Sequence, residues 1–225
     1  MLVNIAHIFA NYGQELAKAF ILTLQLSFVS FLLGFLGGLA LALTRTLAPK
    51  PLEVMLRLFV EVIRGTPMTV QLFFVYYALP MIGPKLDPFI ATLIALSVNS
   101  AVYQSEYLKS AMNSIPRTQW EAALSLGFTG LTSMFYVILP QSLRIAIPTL
   151  TNELIYIIKF SSIAYFVTLP ELIYVAKWIG SKTFAFIEVY IIVAIFYAVV
   201  AFIVGEIMDR INKKVAIPGL TVEKI

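Results

Sequence analysis

The chain has 225 residues, of which 60% are hydrophobic and 12% charged, with a net charge of +4. Soluble domains are about 45–50% apolar and about 25% charged, so a soluble fold of this length could not hide so much apolar surface. Cysteine is absent, which excludes disulfides and thiolate metal sites, and in so apolar a chain the small positive charge reads as membrane orientation rather than nucleic-acid binding.

Residues 1–18 carry the single histidine, His7, read as an ordinary interfacial residue. With neither a basic n-region nor a small-residue cleavage site, no cleaved signal peptide is expected. A helix crossing the hydrocarbon needs roughly 20 mostly apolar residues, and the first such span is expected over residues 19–43. Within it Ser30, Gly34, Gly38 and Ala42 recur every four residues, a ladder of small side chains suited to close helix packing, either inside the chain or against another subunit.

The second span, expected over 56–79, starts with the awkward run "EVIRGTP". Glu61 and Arg64 can pair within one turn. Thr66 and Pro67 can restart a helix after Gly65, threonine as cap and proline in the first turn. A broken membrane helix is tolerated where its backbone lines a cavity or is covered by protein, so Arg64, Gly65, Thr66 and Pro67 are read as a hinge or gate, the alternative being a plain helix start.

The third span, 87–108, is more polar, with Asn99, Tyr103 and Glu106 spaced i, i+4 and i+7 on one face. The fourth, 145–169, repeats that spacing with Asn152, Tyr156 and Lys159, and adds Glu153; the fifth covers 186–207. Strand-length alternation is absent, so the fold expected is an all-α integral membrane protein with five transmembrane helices in one domain over 1–225.

Basic residues orient it. Arg45, Lys50, Arg57 and Arg64 lie between or at the ends of spans one and two, Lys109, Arg117 and Arg144 between spans three and four, and Arg210, Lys213, Lys214 and Lys224 after span five. Only Lys18, Lys85, Lys177 and Lys182 fall on the other side. This bias places the N-terminus outside and the C-terminus in the cytoplasm.

No energy source is legible. "GSKT" at Gly180–Thr183 imitates the end of a phosphate-binding loop, but Lys182 follows serine rather than glycine. No metal-ligand spacing or nucleophile motif occurs, so the chain is not read as an enzyme by itself.

The loop over 109–144, "KSAMNSIPRTQWEAALSLGFTGLTSMFYVILPQSLR", is the cytoplasmic insert between spans three and four. Ser114 as cap, Pro116 in the first turn and Gly127 at a left-handed end define a short helix over 116–126 with an apolar ridge of Trp120, Ala123, Leu124 and Phe128. A second helix is expected over 131–139, ending at Pro140. A short amphipathic helix can lie on lipid or dock in a partner's groove; the polar face here offers only Arg117 and Glu121, which favours the partner.

"EAALSLGFTGLTSMFYVILP" resembles the EAA loop of ABC importer permeases: Glu121-Ala122-Ala123, then Gly127, Val137 and Leu139-Pro140 at that loop's spacing. "EVIRGTPMTVQLFFVYY", "LSVNSAVYQSEYLKSAMNSIP" and "LTNELIYIIKFSSI" resemble the second, third and fourth spans of the polar amino-acid subclass. The resemblance implies a permease subunit of the prokaryotic cytoplasmic (inner) membrane. Glu121, Ala122, Ala123 and Gly127 would form the coupling helix for separate ATPase subunits. ATP and Mg would be bound by those subunits, and no cofactor by this chain. A second permease subunit, an extracytoplasmic substrate-binding protein and membrane lipid complete the implied partners. The chain departs from the subclass at Phe160, where an acidic or similar residue often follows the lysine of the fourth span.

An ionisable side chain at mid-bilayer costs about 2.5–3.5 kcal/mol on insertion scales and so faces a cavity or a partner. Free amino acids are zwitterions, needing an acceptor for ammonium and donors for carboxylate. Glu153, Asn99, Ser100, Tyr103 and Tyr156 fit that inventory, with Thr69 and Gln71 from span two. The alternative is a structural network with Glu153 satisfied by Lys159 or by backbone. Rival functions are the same machine for an opine or organic cation, a stand-alone secondary transporter coupling ions through Glu153 and Lys159, and a membrane scaffold.

Overall fold

The structure, a computed structural model, describes residues 5–215, so Lys224 of the basic set lies outside the described residues. Every regular element within them is helical. Helix α1, Ile5–Leu47, is 43 residues long and begins about four turns before the expected span. The polar run around Asn11 to Lys18 disguised an amphipathic start whose Ile8, Leu16 and Ala19 are buried against later helices. Ser30, Gly34, Gly38 and Ala42 are all buried. A Cβ on Gly34 would lie 2.6 Å from Ser100 Oγ, and one on Gly38 2.8 Å from the Ala101 carbonyl oxygen. The ladder therefore packs within the chain.

The second span is not one helix. Helix α2, Lys50–Gly65, meets the segment Met68–Met81, which opens with helix α3, Met68–Phe73, at a bend of 103°. Thr66 and Pro67 between them are extended. Thr66 does not cap α3: its Oγ1 donates back to the Val62 carbonyl at 2.7 Å, and Pro67 holds the cap position. A residue before proline is pushed out of the helical region, and here its hydroxyl reaches the turn behind it. Along α2 the charged residues Lys50, Glu53, Arg57, Glu61 and Arg64 form one stripe, while Leu52, Met55, Leu58 and Val62 are exposed.

After a π turn at Phe74–Ala78 and a 3-10 turn at Leu79–Met81, helix α4 runs over Pro88–Asn113. Asp87 caps it, accepting from the Phe89 and Ile90 amides at 2.9 and 3.1 Å, with proline at the tolerant first position. At 26 residues α4 is long enough to cross a bilayer. It is too polar to qualify on composition, and it lies between α1, α3 and the later helix over Leu139–Phe160.

Helix α5, Arg117–Ser125, closes as expected with Gly127 left-handed at φ 88°. The Phe128 amide bonds the Ala123 carbonyl at 3.1 Å and the Gly127 amide that of Leu124 at 3.0 Å, a Schellman closure that needs glycine there. Ser114 does not cap α5; its Oγ bonds the Ala111 carbonyl at the end of α4. Helix α6, Gly130–Ser133, is capped by Thr129 and runs through a π turn at Met134–Ile138 into α7, Leu139–Phe160, and a 3-10 turn at Ser161–Val167. The expected stop at Pro140 is absent, and Gly130–Val167 is one helical segment of 38 residues. Proline cannot donate to the carbonyl four residues back and clashes with it. The π turn, closed from Leu139 N to Met134 O, widens the helix just ahead of the ring. Pro80 is preceded by the same device, closed from Leu79 N to Phe74 O.

Helix α8, Leu172–Thr183, was not anticipated; both Glu171 carboxylate oxygens cap it, at 2.9 and 2.8 Å. Helix α9, Phe186–Val215, completes the described chain. Three segments are long and apolar enough to cross a membrane, Ile5–Leu47, Gly130–Val167 and Phe186–Val215, and the bent pair makes a fourth.

Candidate functional site

At the end of the bundle where α1, α2 and α4 meet, Arg45 forms an ion pair with Glu106. The other Glu106 oxygen lies 3.7 Å from Arg64, which also reaches Glu61 at 3.6 Å. The Glu61–Arg64 pairing expected from spacing is thus present and tied to α4. Arg64 also lies 5.8 Å from the Tyr103 ring centroid, a cation–π distance. Lys109, in the last turns of α4, holds Glu53 of α2 at 3.4 Å. Arg45 had not been singled out, because a basic residue at a span's end looks like an orientation signal; only packing shows it buried.

The break beside this network has its own wiring. An unpartnered carbonyl in a bilayer costs several kcal/mol. Gln71 Nε2 donates to the carbonyls of both Ile63 and Thr66 at 2.8 Å. Gln71 Oε1 accepts from Asn99 Nδ2 at 3.1 Å. Both residues had been expected along a substrate pathway, and the structure engages both at the elbow. Thr69 is half-buried in the first turn of α3. Gly65 sits in open space, with no atom within 4 Å of a would-be Cβ.

Deeper in the bundle, Glu153 of α7 is 3% exposed. Its carboxyl faces the hydroxyls of Ser100 and Tyr107 on α4, and Oε1 has no hydrogen-bond partner. Ser100 is itself buried and accepts from Gln104 Nε2 at 2.8 Å. Tyr103 leans against both Tyr107 and Tyr156 with ring centroids 6.5 Å apart. Tyr156 stacks on Phe160 at 4.1 Å, so the residue that departs from the subclass pattern extends an aromatic row. Ser100, Tyr103, Glu153 and Tyr156 are thus brought together. Tyr107, one turn beyond Tyr103, had been passed over, and extending the α4 stripe by that residue would have found it.

Lys159 is exposed and leaves Glu153 without the partner that a charge pair would supply. With Asn152 it forms an outward polar face on α7. Lipid is a poor solvent for such a face, which suits water or a second polar surface. Chemically the cluster offers one carboxylate, a serine and three phenols. Among the described residues no group of three acidic or histidine side chains is placed to hold a metal.

On α5, Ala123 is 3% exposed and Trp120 packs on the core around Leu108 and Met112. Glu121, Ala122, Leu124 and Leu126 are exposed. The expected ridge is therefore split: Trp120 and Ala123 anchor the helix to its own chain, while Leu124 and Phe128 remain outside.

A helical bundle with an interior polar seam, a broken span and a small helix outside the membrane-capable segments is the architecture of a membrane permease. The chain belongs to the family of binding-protein-dependent transport system inner membrane components, which it matches over residues 15–217. It is 40% identical over 194 residues to the probable amino-acid ABC transporter permease protein YckA of Bacillus subtilis, covering 86% of each chain. It is 36% identical to the L-cystine transport system permease protein TcyB of the same organism, covering 85% of this chain and 82% of that one. Among solved structures it resembles an amino acid ABC transporter crystallised with histidines, with a TM-score of 0.88 at 33% identity, over 95% of this chain and all of that one. The fold is also that of the inward-facing MetNI methionine ABC transporter, at a TM-score of 0.75, 21% identity and coverage of 90% and 96%.

Proposed function

We propose that this chain is the permease subunit of an ATP-driven ABC importer for amino acids, working in the inner membrane of a prokaryotic cell. It is one transmembrane domain with five spans, α4 being the fifth alongside the four suited by composition. Its N-terminus lies outside and its C-terminus in the cytoplasm. The observation that carries this reading is α5, anchored by Trp120 and Ala123, closed by Gly127, and presenting Glu121, Ala122 and Leu124 outward. A helix of this kind suits a groove on a partner.

Separate ATPase subunits dock on α5 and bind ATP and Mg; this chain carries no catalytic step and no cofactor. A second permease subunit covers the polar face of Asn152 and Lys159, and an external binding protein delivers the substrate. Glu153 takes the substrate ammonium, with Ser100, Tyr103, Tyr107 and Tyr156 as polar and aromatic lining, while Arg64, Gly65, Thr66 and Pro67 form the gate, with Thr69 just beyond it. Closure of the ATPase pair moves α5, and the Lys109–Glu53 and Arg64–Glu106 pairs pass that motion to α2.

Tagged protein purified gently from its native membranes tests the reading. A bound P-loop ATPase, lost in an Ala122→Arg variant, is the expected result. A chain that purifies alone and still conducts amino-acid flux overturns it.

A further inference from the structure

A break at Thr66-Pro67 interrupts the run of backbone hydrogen bonds from α2 into α3. Pro67 has no N–H, and the Thr66 amide is spent on the Ile63 carbonyl at 3.3 Å. Gln71 lies beyond the break and turns back across it, giving one amide hydrogen to Ile63 O and the other to Thr66 O, both at 2.8 Å. Carbonyls only accept, so the amide orientation is determined, and its oxygen is left to receive Asn99 Nδ2 from α4. One side chain joins the end of α2, the start of α3 and the middle of α4.

Little else holds α2. Val60 is its only buried residue, and its charged side chains attach it through the ion pairs of Glu53 with Lys109 and of Arg64 with Glu106, with Arg64 also over the Tyr103 ring. The crook of the elbow holds an open apolar cleft of about 390 Å³, lined by Val62, Ile63, Thr66, Val70, Gln71 and Phe74, among others. The arms therefore have room to change their angle, and Gln71 stands in that space.

We propose that Gln71 is a positioning residue of the gate. Its amide sets the angle of the α2–α3 elbow and, through Asn99, fixes the elbow to α4, so that α2 swings during transport only by working against this clamp. This rests on the importer reading for the source of the motion, but the clamp itself does not.

The chain has no cysteine, so Met55→Cys and Tyr77→Cys, at positions 60% and 56% exposed, can carry a nitroxide pair across the elbow without background. Electron–electron distance measurements on the nucleotide-free protein in lipid nanodiscs are expected to give one narrow population. Gln71→Met should broaden it, and Asn99→Ala should broaden it less. In the assembled complex, Gln71→Met should raise ATP hydrolysis without substrate several-fold. A purely structural role would lower yield without broadening the distances in what survives. Wild-type distances in Gln71→Met overturn the proposal; if that variant does not assemble, wild-type distances in Asn99→Ala do so. Absence of any bound ATPase would defeat the importer reading alone, since the nucleotide-free distances need none.

Discussion

Arg45 and Glu106 are paired across α1 and α4, with the arginine side chain only 4% exposed. Removing one partner of a buried pair strands the other charge, at a cost of about 3–5 kcal/mol. Glu106→Leu should therefore sharply lower the melting temperature in detergent, whereas the double change Arg45→Met with Glu106→Leu should recover much of the loss. Equal melting of the single and double variants would contradict this account.

Two glycines provide a steric contrast. Gly38→Ala drives a Cβ to 2.8 Å from the Ala101 carbonyl and 2.9 Å from Gln104 Cβ, and overpacking of this kind costs about 1–3 kcal/mol. Gly65→Ala meets nothing. Thermal melting should drop for the first and stay near wild type for the second.

At Gly127 the penalty is conformational rather than steric. The residue sits at φ 88° with open space around it, and an L-residue in the left-handed region costs about 1–2 kcal/mol. Gly127→Ala should fray α5 and weaken ATPase retention in pull-downs, while Gly130→Ala, also in open space, should not.

For Glu153→Gln the expected loss is in transport rather than folding. A hydrogen bond to a charged group contributes about 1.5–3 kcal/mol, so apparent affinity for the imported amino acid should fall about tenfold to a hundredfold in reconstituted vesicles. Wild-type affinity at normal expression would remove Glu153 from the pathway.

What the residues alone disclosed followed from local rules. The Schellman glycine, the small-residue ladder and the Glu61–Arg64 pair each depend on neighbours within a turn or two, or on an unmistakable period. Tertiary context decided the rest. Thr66 looked like a cap for the helix ahead, but its hydroxyl had a carbonyl closer behind it. Pro140 looked like a stop because a π turn leaves no mark in composition. Gln71 and Asn99 have the right chemistry for a substrate, and only the placement of Gln71 beside the Ile63 and Thr66 carbonyls, with Asn99 on its oxygen, reveals the elbow clamp. Helix α8 is too short and too mixed to stand out, and its cap, Glu171, is a residue type seldom read as one.

The contact between α1 and α4 at Gly34 and Gly38 has a mechanical corollary. Two long helices pressed together so that the bare backbone of one at Gly34 and Gly38 meets Ser100, Ala101 and Gln104 of the other leave no slack for sliding. They form a door frame. Relative motion during a transport cycle must then fall on the thinly attached pieces hung from that frame, and α2, sixteen residues long with a single buried side chain, is such a leaf.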